Sequence, residues 1–266
     1  MRLTVLAGVG AALLVAHSRR ELKLRERLAA ASLETLLNAI DANDPTTGAH
    51  ARRVATYALI LARAQGLNVR AQHSVERIAL FHDVGKIHAA LFDIVHDSAS
   101  LSTEERQLIA THPRRGAEVL EPLSMFYPDL AEGVLSHHER WDGTGYPRKL
   151  KGTEIPLQAR IVSIADTFDV ITHSRPYKDG ESFEQALAAI QEGSGTQFDP
   201  MLADLFVAAA VSTEVREAAD EASIEHAGSD ERRRNTQENA PDITFRWRNT
   251  ETELPVQDQV PLGAPG

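Results

Sequence analysis

The chain has 266 residues, of which 42% are hydrophobic and 25% charged, enough apolar content for one substantial domain with extensions or for two small ones. Its 28 Lys and Arg against 38 Asp and Glu leave a formal charge of −10, which disfavours binding to a nucleic-acid polymer. The absence of cysteine excludes disulfides, Cys-ligated zinc, iron–sulfur clusters and a Cys nucleophile, whereas the 11 histidines offer ligands of another kind.

Residues 1–30 carry six basic and two acidic side chains. Leu3 to Ala16 is a run of fourteen apolar or small residues, shorter than the ~20 that a bilayer span requires. Arg19, Arg20, Lys23, Arg25 and Arg27 follow it, which would place that side in the cytoplasm. The expectation is a short membrane anchor over 1–18 with a cytoplasmic remainder; the alternative is the first turns of a buried helix. Leu22, Leu28, Leu33, Leu36, Leu37 and Ile40 predict an amphipathic helix over 19–42, of which 19–32 would serve as a linker.

The pattern stays helical from 44 to 211. Val54, Ala58, Leu61 and Ala62 predict a helix over about 48–65, and Val75, Ile78, Ala79 and His82 predict the next. Ser102-Thr103-Glu104-Glu105 reads as a capped helix start, and Pro113 suits a first helical position. Leu130, Val134, His137 and His138 fall at i, i+4, i+7 and i+8, and Ala159, Val162, Ala165 and Asp166 share one stripe. Residues 141–154, with Gly143, Gly145, Pro147 and Gly152, predict a long loop, which in a compact domain is usually functional or disordered. Residues 212–266 hold six basic and twelve acidic side chains, and 222–266 is expected to be a disordered tail after a domain spanning 33–221.

Several polar residues fall on faces that should be buried. His82 and Asp83 end one apolar face, His137 and His138 another; His112 closes a third, and Asp166 lies on a fourth. A buried imidazole or carboxylate is costly unless it is paired or bound to a metal. Taken singly, each histidine could be a hydrogen-bonded core residue. Several such groups on different helices point to a metal cluster inside a bundle.

His82-Asp83-Val84-Gly85-Lys86 resembles the HD signature of the HD phosphohydrolases. The block His137-His138-Glu139-Arg140-Trp141-Asp142-Gly143-Thr144-Gly145-Tyr146-Pro147 resembles the extended signature of the HD-GYP branch. Asp44-Pro45, Thr47 and His50 stand before the first block. His112-Pro113, Asp166-Thr167-Phe168-Asp169 and Arg175-Pro176-Tyr177-Lys178 follow in the order that the family shows. The resemblance covers about 33–211. It implies an all-α HD-domain bundle with the HD-GYP extension, and a phosphodiesterase that opens cyclic di-GMP to pGpG or GMP in bacterial signalling.

The resemblance nominates His50, His82, Asp83, His112, His137, His138 and Asp166 as ligands of two divalent metal ions. Imidazole and carboxylate without sulfur favour iron or manganese. Asp83 would bridge the two ions. Lys86, read as one helical turn from His82, would face the charge developing on phosphate or the bridging hydroxide; a salt bridge to Asp83 is its alternative. Arg175 and Lys178 would hold substrate phosphate, and Tyr146 would line the ligand cleft or a surface for signalling partners.

Two departures stand out. Some family members place a glutamate four residues before the first histidine and hold a third ion; Thr46 stands there in this chain, so two ions are expected. The segment His96-Asp97-Ser98-Ala99-Ser100 replaces the family's Lys-Pro-Gly-like turn. His88 and His96 are expected to be non-ligands, and His17, His73, His173 and His226 have no motif around them. Two other functions remain open at this point: an HD phosphohydrolase for another nucleotide, and a weakly catalytic module that binds nucleotide or a partner. A homodimer is equally open.

Overall fold

The computed structural model describes residues 2–87, 102–173 and 182–211, with side chains from His17 to Ala210, Asn43 excepted. Arg175, Lys178, His88, His96, His226 and the expected tail over 222–266 lie outside the described residues. Regular structure among the described residues is helical, with one isolated bridge between Ser194 and Phe198.

Helix α1 spans Arg2–Asn43 and α2 Pro45–Ala64. Asp44 separates them by capping α2: its carboxylate accepts the Thr46 N–H at 2.9 Å, and Pro45 takes a first-turn position where no N–H is needed. Helix α3 spans Val69–Phe81, capped by Asn68, and a 3₁₀ turn, Val84–Ile87, follows it. Helix α4 (Thr103–Ile109) begins with the expected capping box between Ser102 and Glu105. Helices α5 (His112–Leu120) and α6 (Leu130–Ser136) are short. After the long loop come α7 (Leu157–Thr172), α8 (Phe183–Glu192) and α9 (Pro200–Val211).

Helix α2 is central, packed on α1, α3, α7 and α9, while α5 packs on α6 and on the 3₁₀ turn. The faces read from spacing are the ones buried: Val54, Ala58, Leu61 and Ala62, then Val75, Ile78 and Ala79, then Ala159, Val162 and Ala165. Tyr57, Phe168 and Phe206 meet edge to face, with centroids 5.0 and 5.1 Å apart, and tie α2, α7 and α9 together.

The first forty residues differ from expectation. Helix α1 runs without interruption through 18 and 32, so the fourteen-residue apolar run is the start of a longer helix. Among the described residues no helix is long and apolar enough to cross a membrane, and the anchor expected over 1–18 finds no support. Among the described side chains, α1 joins the core through Leu33, Leu37 and Ile40. Leu22 and Leu28, expected on the same apolar face, are exposed. They precede Leu33, Leu37 and Ile40, where α1 is buried in the core.

Candidate metal centre

Three histidines stand just beyond helix C-termini, and this explains their orientation. His82 follows α3, His112 comes shortly after α4, and His137 follows α6. Carbonyls in a final helical turn have no partner within the helix. Each of these histidines supplies one: Nδ1–H donates to Ala79 O at 2.6 Å, Ile109 O at 2.7 Å and Val134 O at 2.6 Å respectively. A carbonyl can only accept, so Nδ1 carries the proton and Nε2 of the neutral ring presents a lone pair. All three rings are fully buried.

The 3₁₀ turn after His82 brings Asp83 to His112. A Cβ at Gly85 would lie 2.1 Å from the His112 carbonyl oxygen and 2.7 Å from the Gly116 nitrogen, so only glycine permits this approach. Asp83 Oδ1 then lies 3.2 Å from His112 Nε2, and His112 Nε2 lies 3.2 Å from His137 Nε2. His50 comes from α2 and Asp166 from α7: His50 Nε2 is 3.3 Å from Asp166 Oδ1 and 3.9 Å from Asp83 Oδ2. His82 Nε2 is 3.4 Å from Asp83 Oδ2 and 3.8 Å from Asp166 Oδ1.

The arrangement suits a cation. Acceptors face acceptors, and His50 Nε2, His82 Nε2 and Asp83 Oδ1 are buried with no hydrogen-bond partner among the described residues. Such groups are costly unless a positive charge lies between them. Two ligand sets, each with one donor atom per residue within 4.8 Å of the others, meet at Asp83. One is Asp83, His112, His137 and His138, and the other is His50, His82 and Asp83, with Asp166 alongside. The structure thus gathers all seven nominated residues around one carboxylate. Thr46 is exposed in the first turn of α2, where its N–H serves the cap.

Burial alone would raise the Asp83 pKa, but Lys86 and the surrounding imidazoles hold the carboxyl well below its usual range. Burial depresses His112, holds His137 well below normal and brings His138 to about 3, which keeps their lone pairs free near neutrality. Burial would also lower His50, but the Asp166 and Asp169 carboxylates beside it overcome that and raise the pKa to about 9. That pocket attracts positive charge.

Lys86 lies in the 3₁₀ turn rather than on a continuing helical face, and its Nζ donates to Asp83 Oδ2 at 2.7 Å. Tyr146 stacks on His138, with centroids 4.9 Å apart and planes 28° apart. The loop beneath it is well anchored. Glu139, between the histidine pair and the tyrosine, is buried, and its carboxylate accepts the Arg148 N–H at 2.6 Å and the Leu150 N–H at 3.0 Å. Trp141 and Asp142 donate backbone N–H bonds to Gln197 O at 3.1 Å and Thr196 O at 2.8 Å.

Reasoning from sequence missed a second layer. Asp169 is 1% exposed and binds His50 through Oδ2···Nδ1 at 2.6 Å. Arg53 donates Nε to its Oδ1 at 2.7 Å and Nη2 to its Oδ2 at 2.9 Å, and His173 Nδ1 lies 3.2 Å from Oδ1. The signal was present: Asp169 continues the Asp166 stripe at i+3, His173 is at i+4 from it, and Arg53 is at i+3 from His50.

A family model described as the HD domain matches residues 34–202. The chain belongs to the HD-domain family. The resemblance to HD phosphohydrolases that the His82 block carries is likewise borne out. This HD-domain chain is 37% identical over 188 residues to the cyclic di-GMP phosphodiesterase response regulator RpfG of Xanthomonas campestris, covering 70% of the chain and 49% of the relative. It is 36% identical over 173 residues to 3'3'-cGAMP-specific phosphodiesterase 2 of Vibrio cholerae, covering 65% and 33%. The HD-domain chain thus spans a third to a half of the length of these curated relatives. The solved structure of the V. cholerae cyclic GMP-AMP phosphodiesterase V-cGAP3 superposes with a TM-score of 0.52 at 24% identity, over 72% of this chain and 51% of the other, which establishes a shared fold.

Proposed function

We propose that the chain is a metal-dependent cyclic dinucleotide phosphodiesterase with cyclic di-GMP as its first substrate. The observation that carries this reading is Asp83, a buried carboxylate shared by two converging sets of lone pairs. Its family supports phosphodiester chemistry, and the relatives' names supply the substrate class. In this reading His50, His82, Asp83 and Asp166 hold one ion and Asp83, His112, His137 and His138 the other, with iron or manganese favoured by the donor set. Two divalent cations so held would clamp a phosphoryl oxygen and supply an attacking water of lowered pKa.

The protein's own groups do the rest. Backbone carbonyls hold three of the imidazoles by Nδ1, so their Nε2 lone pairs need no reorganisation. Lys86 spends one of its three donors on Asp83 and keeps two for phosphate oxygens where negative charge grows. Tyr146 holds His138 by stacking and offers its ring to the cleft. Arg175 and Lys178 are the proposed grip on the second phosphate, a role that rests on the sequence resemblance.

The test is turnover of cyclic di-GMP and 3'3'-cGAMP by protein loaded anaerobically with iron or manganese, alongside elemental analysis. The expected result is two ions per chain and hydrolysis of cyclic di-GMP. A second reading, preference for 3'3'-cGAMP, is favoured by the 36% identity to a phosphodiesterase specific for it. Protein with two ions that opens neither dinucleotide refutes both readings.

A further inference from the structure

His50 is held differently from three other histidines of the centre, one of which, His82, shares its half. His82, His112 and His137 each lean on a neutral backbone carbonyl. His50 alone leans on a carboxylate, Asp169, and that carboxylate is itself gripped by both arms of the Arg53 guanidinium. The His50 half also contains Asp166 beside the shared Asp83, whereas the other half adds only imidazoles to it.

We propose that Asp169 is a positioning residue that, clamped by Arg53, aims His50 Nε2 at the centre and makes the His50–Asp166 half the tighter of the two for a divalent cation. Three features carry it. An anionic acceptor behind a ligating imidazole raises the basicity of the far nitrogen and fixes its rotation. Arg53 satisfies both Asp169 oxygens, so the carboxylate cannot turn away from His50. Each half has four ligand residues, but the His50 half counts two carboxylates against one. The ions therefore load in order, the His50 half first.

This inference rests on the binuclear reading proposed above. The test is titration of chelator-stripped full-length protein with Mn²⁺, following free Mn²⁺ by electron paramagnetic resonance, in wild type, Asp169→Asn, His50→Ala and the double variant. Wild type should show two classes of site. Asp169→Asn should weaken the tighter class by roughly 10–100-fold and leave the weaker class within about threefold, since outer-shell partners carry effects of that size. On the His50→Ala background Asp169→Asn should add nothing, because it acts through that ring.

Two classes in wild type with both unchanged in Asp169→Asn overturn this inference alone, and so does equal weakening of both at retained helicity. Wild type that binds no Mn²⁺ overturns it together with the metal reading. Should Asp169→Asn fail to fold, Arg53→Lys keeps the charge but loses the two-armed grip, and should weaken the tighter class by roughly 3–10-fold. An unchanged tighter class in that variant overturns the proposal.

Discussion

Replacing Glu139 by Gln separates loop anchoring from metal binding. In the sequence Glu139 directly follows two proposed ligands; in the structure both of its oxygens are turned to the Arg148 and Leu150 amides. Glutamine keeps one acceptor oxygen and puts an NH₂ group where the second was. One charge-assisted bond is lost, the survivor becomes neutral, and one buried backbone N–H faces a donor. Bonds to charged groups contribute about 1.5–3 kcal/mol and neutral ones about 1, so exchanging two of the former for one of the latter loses about 2–5 kcal/mol. Relief from burying a charge offsets part of it, leaving about 2 kcal/mol. For a domain of this size that lowers the melting temperature by about 4–8 °C. The assays are thermal unfolding, hydrogen exchange across 141–154, and metal content. Melting and loop protection should fall while metal content stays at the wild-type value. A melting shift below about 1 °C, or metal lost at unchanged stability, refutes the anchoring argument.

Asp83→Ala removes the carboxylate common to both ligand sets and should abolish bound metal and turnover together, with helicity retained by circular dichroism; survival of a tenth of the wild-type turnover would mean that Asp83 does not join the two halves. Arg175→Ala should keep both metals and lose kcat/KM for cyclic di-GMP by roughly 10–100-fold, the loss of one charge-assisted bond of about 1.5–3 kcal/mol. Bis(p-nitrophenyl) phosphate lacks a second phosphate, so its hydrolysis by the same variant should barely change; an equal fall with both substrates would assign Arg175 to the metal site or the fold.

Residues that combine helical spacing with an unusual side chain were legible in the sequence. His82 and His137 end stripes of Ile, Ala, Leu and Val, and their burial follows from the stripe alone. Their aim does not. It depends on where each helix stops, because His82 and His137 turn Nδ1 to carbonyls that only a helix end leaves free. Lys86 illustrates the same limit. Continued helix would put it one turn above His82, but the chain tightens to a 3₁₀ turn and Lys86 lies on Asp83. For the layer behind the centre the spacing was present in the sequence, but the partners were not legible. Asp169 meets His50 and Arg53 across more than a hundred residues, and a periodic pattern says which face is buried, not which face of another helix it meets. His173 shows the cost of relying on motifs alone. No motif surrounds it, yet it touches Asp169.

The contact at Gly85 has a bearing on how such a centre could be altered. The gap between the His82 turn and the start of α5 is set by main-chain atoms meeting main-chain atoms, with no side chain as intermediary. Distances within the centre are therefore gauged by the backbone. Exchanging one ligand type for another, His for Asp or Asp for Glu, would retune the affinity of each half while the gauge stays the same. A single methyl group at position 85 would do the reverse, keeping every ligand and forcing His112 away from Asp83. In this protein the most economical way to uncouple the two halves is a residue that has no donor atom to offer.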